Sequence, residues 1–362
     1  MGITHDDIGE DRANGSLGGR IERATRWRRN QMLRPVKWLA YESGQTRLVP
    51  PPDRLYIEST NVCNLNCIMC PTGRKEQVRK KGFMDFDLFR AIVDQMAPYV
   101  EATTLHIWGE PLLHPRLFDM MAYCRAAGLR SEISTNATLL TEERARQALE
   151  NGLGAIYLCL DGMRPETYEQ IRINADYERT NENIRRFLEL KQAGGYHGTY
   201  VNLQIIEMEK TVGEVDEFMK AWDLPGVDRI NVKPFDSWGG QVTEINSLRP
   251  EDDQPRQPRF PCPNLWYHTH LYWDGRIAMC DRDFNLNYDL GSIRNPDGSV
   301  HVLRNWNGPK MQELRRRHVK GELADVSPCN TCTEWAWWKP RPFRSYGNYN
   351  AAKLEGGDGR ES

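Results

Sequence analysis

The chain has 362 residues, 27% of them charged, and its 48 Lys and Arg against 50 Asp and Glu leave a formal net charge of -2. A balance this near zero supplies no global field for nucleic acid or an anionic membrane. The length allows one large domain and a smaller one around a sizeable core. No apolar run approaches the roughly twenty residues of a membrane span, and the N-terminus lacks the apolar core of a secretory signal. The chain is therefore expected to be cytoplasmic, with neither a membrane nor a nucleic-acid partner. In a reducing compartment its nine cysteines read as metal ligands rather than disulfides.

Residues 1–53 form an N-terminal extension, in which Arg23, Arg26, Arg28 and Arg29 surround Trp27. This pattern suggests a solvated helix, or a frayed arm lying over the mouth of the domain that follows. Pro51 and Pro52 close it. Strand-like runs then alternate with amphipathic helix-like runs. Leu55 to Glu58 precedes a helix from Asp85 to Met96, and Thr104 to Trp108 precedes one from Arg116 to Ala127. Ser131 to Ser134 leads to a helix from Thr141 to Asn151, and Ala155 to Leu160 to helical stretches from Glu166 through Leu190. Val201 to Met208, a helix from Gly213 to Trp222, and Arg229 to Val232 complete the set. Alternation over residues 54–235 implies the α/β class, with βαβ units on a parallel sheet.

Cys63, Cys67 and Cys70 form a C-x3-C-x2-C triplet directly after the first strand. Three thiolates hold three irons of a [4Fe-4S] cluster and leave the fourth iron open to a small molecule. A closed zinc knuckle needs a fourth ligand, and no further Cys or His lies within thirty residues. The spacing, the Asn-rich interior and the preceding strand resemble the signature loop of the radical S-adenosylmethionine (radical SAM) enzymes. That resemblance implies a partial (β/α)6 barrel with its chemistry at the C-terminal strand ends. Further segments at those ends extend it. Trp108-Gly109-Glu110-Pro111 is similar to the family's "GGEP" element, which receives the SAM amino group, with Trp108 in place of the first glycine. Ser134-Thr135-Asn136 resembles the "TNG" position near the SAM ribose. Leu160-Asp161-Gly162 resembles "SLDG", with Cys159 in place of the serine, and Arg172 resembles the arginine that several relatives use on the SAM carboxylate.

A second cysteine group follows residues 236–260, which read as a linker or insertion. Cys262 and Cys280 have 17 residues between them, and 48 more precede Cys329 and Cys332. Four thiolates make one closed auxiliary site, for a cluster or equally for zinc. Between them, Trp273-Asp274-Gly275-Arg276 reads as a type I′ hairpin turn joining Leu271 to Met279, and Pro309 to His318 as a helix. Hairpin, helix and spacing resemble the "twitch" domain, the short form of the SPASM domain, over residues 261–340, leaving 341–362 as a tail. Two [4Fe-4S] clusters are thus expected.

The twitch spacing looks most like radical SAM enzymes of aminoglycoside and aminocyclitol biosynthesis, such as the butirosin-pathway inosamine dehydrogenase. The resemblance implies a 5′-deoxyadenosyl radical that takes a hydrogen atom from a carbinol carbon, and an auxiliary cluster that accepts the second electron. It also implies a flavodoxin- or ferredoxin-type electron donor. Lys233, ending the sixth strand, is the candidate base toward the hydroxyl. Glu207 and Glu209, together with Asp236, Glu244, Glu251, Asp252, Asp253, Asp281 and Asp283, read as an acidic rim for a cationic sugar, or as solvated loops. Trp238, Trp266, Trp273 and Trp335 to Trp338 read mainly as packing around the auxiliary site. Dehydration, epimerisation with Cys159 as hydrogen donor, and peptide modification stay open. A zinc-binding interaction protein explains the cysteines but not the strand-end elements.

Overall fold

Six apolar runs become six parallel strands in chain order. They are β1 (Arg54–Ile57), β2 (Ala102–Thr104), β3 (Arg130–Thr135), β4 (Leu153–Cys159), β5 (Tyr200–Ile206) and β6 (Arg229–Lys233). The computed structural model describes residues 17–249 and 258–342. The crossovers carry α2 (Phe86–Met96), α3 (Leu117–Ala126), α4 (Glu142–Glu150), α5 (Pro165–Ile171) with α6 (Tyr177–Ala193), and α7 (Val215–Ala221), after an N-terminal α1 (Leu17–Glu42). This is the partial barrel expected, with neighbours in sequence adjacent in the sheet.

The helices form where the sequence encodes them. In α2 the Asp85 carboxylate accepts the Leu88 amide at 3.0 Å, capping the first turn. Leu88, Phe89, Ile92, Val93 and Met96 then fall on one buried face. Each contributes about 1.5–3 kcal/mol by leaving water. The helical stretches expected over 166–190 are α5 and α6, separated where Asn174 adopts a left-handed φ of +74°. β2 lies earlier than expected, from Ala102 to Thr104; the Leu105 amide still donates to Glu132 O at 2.8 Å, and residues 106–108 follow beyond the strand.

The auxiliary segment extends the barrel sheet. After short helices α8 (Thr243–Asn246) and α9 (Asn264–Tyr267), strand β7 (His268–Leu271) pairs parallel with the free side of β1, and β8 (Ile277–Ala278) pairs antiparallel with β7. The sheet order is β6-β5-β4-β3-β2-β1-β7-β8. The hairpin turn is not type I′, which requires left-handed backbone at both central residues. Only Gly275 has it, at φ +88°. The Gly275 amide donates to Tyr272 O and the Tyr272 amide to Arg276 O, the pattern of a three-residue loop with a bulge. Helix α10 (Pro309–Lys320) meets α9, its Arg315 donating to Leu265 O at 2.9 Å.

The described contacts of the N-terminal extension lie away from the mouth, while residues 1–16 and the side chains of Arg23, Arg26, Trp27 and Arg28 lie outside the described residues. Asn30 donates to Glu101, just before β2, Lys37 pairs with Asp53 at 3.4 Å, just before β1, and Tyr41 donates to Pro261 O at 2.7 Å. The second half of α1 therefore seals the opposite end, at the strand N-termini, where the Tyr41 ring stands edge-on to Trp266.

Inside the barrel, alternate residues carry polar groups. Glu132 is fully buried and bonded to both Arg54 and Arg130. Burial pushes its carboxyl up, but the two guanidinium groups outweigh burial and hold it below the usual range. Its stabilisation is thus complete above the ordinary carboxylate pKa and lost as pH falls through the lowered folded value. Glu132→Gln strands two cations and should cost about 3 kcal/mol in urea unfolding of the anaerobic protein. It should also flatten the loss of stability on acidification. Unchanged stability with unchanged acid sensitivity would remove the triad from its central place.

Candidate functional site

The cysteine loop leaves β1 and folds back across the barrel mouth. Cys67 is 7% exposed, and Cys63 and Cys70 are half-buried around it. Two glycines make the loop possible. A Cβ on Gly109, at φ +75°, would lie 2.6 Å from the carbonyl oxygens of Thr60 and Val62. A Cβ on Gly73 would lie 2.5 Å from the backbone of Cys67. The loop is thus clamped between two backbones that only glycine lets approach.

Glu110 fixes this arrangement. Its amide donates to Val62 O at 2.8 Å, and its carboxylate accepts from the Leu112 amide, the Thr135 hydroxyl at 2.8 Å and the Asn136 amide at 2.9 Å. Burial raises the pKa of its carboxyl, opposed mainly by the Asn136 and Leu112 amides. The Asn136 side chain donates to Asn64 within the cysteine loop, and Asn64 donates to Thr138. Gly109, Glu110 and Asn136 therefore come together at the loop as the sequence suggests, but through contacts to the loop itself.

Asp161 and Arg172 form a buried pair rather than two open ligands. Arg172 Nε donates to Asp161 at 2.9 Å, Asp161 also accepts the Ile206 amide at 2.7 Å, and Asp161 is fully buried. The remaining nitrogen, Nη1, faces Cys67 Sγ at 3.9 Å. Asp161 thus ties the ends of β4 and β5 together and orients Arg172 toward the cysteine loop. Ser134 lies on the lumen side, its hydroxyl 3.2 Å from Cys159 Sγ, and Gln204 donates to that sulfur at 3.3 Å. Lys233 ends β6 half-buried, its carbonyl accepting the Glu207 amide at 2.9 Å and its Nζ 5.6 Å from the Trp238 ring, and among the described residues that Nζ makes no hydrogen bond or ion pair. Cys124 is fully buried in α3, away from this chemistry.

The four auxiliary cysteines come from three segments, Cys329 and Cys332 sharing one turn. Cys329 Sγ lies 3.8 Å from Met279, beside Cys280, and the Cys332 thiol donates to Glu334 at 3.0 Å. Burial pushes all four thiols up, Cys329 to about 12, and Cys262 adds to the rise at Cys280, Cys329 and Cys332. The first loop behaves alike, with burial raising Cys63 to about 11 and Cys67 to about 12, each pushed further by the neighbouring thiols. Buried thiols that resist ionisation alone suit a cationic iron core, which supplies the charge that desolvation removes. Both sets fit iron–sulfur ligation.

Three of the carboxylates expected in an acidic rim, Asp236, Asp281 and Asp283, instead turn inward, while Glu244 is exposed. Asp236 and Asp281 both bond to Arg282, and Asp283 is fully buried, accepting the amides of Asn287 and Tyr288. Burial raises Asp236 and Asp283 to about 6 each. These carboxylates are internal because a single arginine beside Cys280 gathers two of them. Glu251, Asp252 and Asp253 lie outside the described residues, and Glu207 and Glu209 are exposed. Trp335 and Trp337 pack near the auxiliary cysteines, against Phe260 and Arg282, as expected.

Sequence reasoning missed the inward face of the sheet. His106 accepts the Ser134 amide at 2.9 Å, and burial holds it at about 4, so it stays neutral. Tyr56 stacks on His270 at 4.6 Å, and burial lowers His270 to about 4 as well. The signal was present. His268, His270 and Tyr272, like Thr104, His106 and Trp108, repeat at every second position, the strand period.

Gly109→Ala forces a side chain into the Thr60 and Val62 carbonyls. Anaerobic reconstitution should then load about half the iron, with the auxiliary set intact and far-UV circular dichroism unchanged. Full iron content in this variant would show that the clamp does not hold the loop.

Comparisons with known proteins agree with this geometry. The description "Radical SAM superfamily" matches residues 57–215, and the SPASM "iron-sulfur cluster-binding domain" matches 262–333. The tungsten-containing aldehyde ferredoxin oxidoreductase cofactor-modifying protein of Pyrococcus furiosus is 29% identical over 49% of this chain and 50% of that protein. PqqA peptide cyclase of Gluconobacter oxydans is 23% identical over 82% of this chain and 83% of that one. This chain spans half or less of the length of the first curated relatives it matches. Among solved structures, BtrN in complex with AdoMet and 2-DOIA superposes with a TM-score of 0.53 at 18% identity, covering 79% of this chain and 94% of that one, a likeness of fold. Among the described residues no helix is long and apolar enough to cross a membrane. The chain carries a radical SAM domain followed by a SPASM domain, and these imply S-adenosylmethionine and [4Fe-4S] clusters, an auxiliary one included, as its cofactors.

Proposed function

We propose that this chain is an oxidoreductase acting on a secondary alcohol of an aminocyclitol or aminoglycoside, giving a ketone in antibiotic biosynthesis. Cys63, Cys67 and Cys70 would hold the first cluster and Cys262, Cys280, Cys329 and Cys332 the auxiliary one. When bound, the first cluster and SAM supply a 5′-deoxyadenosyl radical, and the auxiliary cluster supplies an electron acceptor.

The observation that carries this reading is a lumen of neutral hydrogen-bonding groups facing Lys233, whose side-chain nitrogen has no hydrogen-bond or ion-pair partner among the described residues. Ser134, Gln204 and neutral His106 line it, and several buried polar atoms there, including His270 Nδ1, Thr104 Oγ1 and Asn202 Oδ1, have no protein partner. Such groups are satisfied by water or by the hydroxyls of a ligand. His106 is occupied by the Ser134 amide, which leaves Lys233, in its neutral amine form, to receive the carbinol proton. Gly109, Glu110, Ser134, Asn136, Asp161 and Arg172 would shape the SAM site. Asp161 acts by aiming Arg172, whose Nη1 alone lies outside the pair. A reductant of flavodoxin or ferredoxin type and a cytoplasmic setting belong to the same proposal.

Reconstituted enzyme should hold about eight irons per chain. With SAM, a reductant and candidate aminocyclitols or aminoglycosides, the product should be two hydrogens lighter than substrate. A product lighter by one water points to dehydration, and modification of a peptide panel with no sugar turnover points to the activity named for the peptide cyclase relative. Stoichiometric zinc at the auxiliary cysteines would sink the oxidation reading. Cys329→Ala should keep some cleavage of SAM while losing product.

One observation favours a second reading. Cys159 is a half-buried thiol facing the lumen, 3.2 Å from Ser134, where a hydrogen donor for epimerisation would stand. On the oxidation reading Cys159→Ser keeps most turnover and still yields the ketone. Loss of product while substrate deuterium still reaches 5′-deoxyadenosine would replace oxidation with epimerisation.

A further inference from the structure

Trp108 stands where the resembling family has glycine, and nothing in the SAM site asks for an indole there. The ring is 3% exposed, so it is not a stacking surface for substrate. Its Nε1 donates to Asp281 O at 3.0 Å, the carbonyl directly after Cys280. Its face meets Trp238, with ring centroids 4.8 Å apart, and Phe284 stands edge-on at 5.7 Å. Trp238 Nε1 in turn donates to Met69 O at 2.7 Å, the carbonyl between Cys67 and Cys70. Two indoles thus span from one cysteine site to the other through two hydrogen bonds and a single ring contact.

The span is held at some cost. Trp238 sits at φ +54°, a left-handed conformation that a bulky residue rarely adopts, at roughly 1–3 kcal/mol. Asp236 accepts its amide at 2.9 Å, and Gln241 donates to both its carbonyl at 2.6 Å and Arg282 O at 2.9 Å. Packing alone does not explain these bonds. A phenyl ring at either position would fill the same apolar cluster of Leu65, Met69, Phe235, Tyr272 and Phe284. What a phenyl ring lacks is the N–H, and each N–H here reaches a carbonyl adjoining a cysteine.

We propose that the Trp108–Trp238 pair is a positioning element that sets the electronic contact between the two cysteine sites. The proposal rests on the reading that the auxiliary cysteines hold a redox-active cluster. One electron leaves one cluster and arrives at the other, oxidising the first and reducing the second by one unit. No proton moves, and neither indole is itself oxidised. Contiguous bonded and packed contacts are the route that a coupling between sites requires.

The test uses full-length, iron-replete protein without SAM or substrate. Less than one reducing equivalent per chain is delivered by a light flash, and freeze-quenched electron paramagnetic resonance follows its distribution between the clusters. Trp108→Phe and Trp238→Phe keep a ring and remove one N–H each, and Trp108→Leu removes the ring. All three should bind wild-type iron with unchanged cluster spectra, while equilibration slows several-fold in the Phe variants and further in the Leu variant. Wild-type rates in iron-replete Phe variants would overturn the proposal. So would loss of iron in the Phe variants, since the pair would then only brace the loop. Because no substrate is present, failure of alcohol oxidation leaves this result standing, whereas zinc at the auxiliary cysteines would sink the underlying reading instead.

Discussion

A buried carboxylate bonded only to neutral groups holds the mouth of this barrel together. Glu110 carries its charge out of water into a pocket where two amides and one hydroxyl meet it. Unpaired burial of that charge would be prohibitive, so the three donors must stay in register. Those donors come from the turn after β2 and from the end of β3, and the Glu110 amide holds the cysteine loop at Val62. The cysteine loop, two strand ends and the glycine clamp therefore move as one body. Thiol geometry at the first site follows from that constraint rather than from the thiols.

The same logic places the second cysteine group. β7 completes the free side of β1, and the Glu58 amide prolongs the ladder by donating to Leu271 O at 2.8 Å. Glu58 then pairs with Arg79 through two hydrogen bonds, Arg79 stacks on Tyr272 at 3.7 Å, and it donates to Phe284 O at 2.7 Å. A segment just after the first cysteine loop is thereby fastened to the auxiliary hairpin. Covering the edge of β1 also removes an exposed strand edge. The two sites belong to one sheet, and their separation is set by strand spacing and by the side chains packed between.

Most carboxylates in the interior are paired with arginine, whereas Glu110 and Asp283 are held by amides and a hydroxyl instead. Glu58 with Arg79, Glu132 with Arg54 and Arg130, Asp161 with Arg172, and Asp236 and Asp281 with Arg282 are all acid–arginine groupings at or near inward positions. Arginine suits such places because its planar fork meets a carboxylate at two points and stays charged. The pairs cancel one another's fields, so the lumen is polar yet nearly neutral apart from Lys233. A substrate with many hydroxyls suits such a surface, and recognition by an acidic rim does not operate through these aspartates.

Much of this was legible in the residues. Strand–helix alternation determined the parallel sheet, because apolar periodicity is a local property that burial must obey. Cysteine spacing determined both thiol groups, since three ligands in one short loop leave few chemistries. Helix boundaries were close wherever a cap such as Asp85 marked them. The tertiary structure alone decided the rest. That Glu110, Asn136 and Asp161 serve the loop and one another depends on which strand ends lie side by side. That α1 seals the bottom, that β7 joins β1, and that Trp108 meets Trp238 are contacts between segments up to hundreds of residues apart. A linear pattern records which face a residue occupies, whereas the partner across that face is chosen by packing, and packing exists only once the chain has folded.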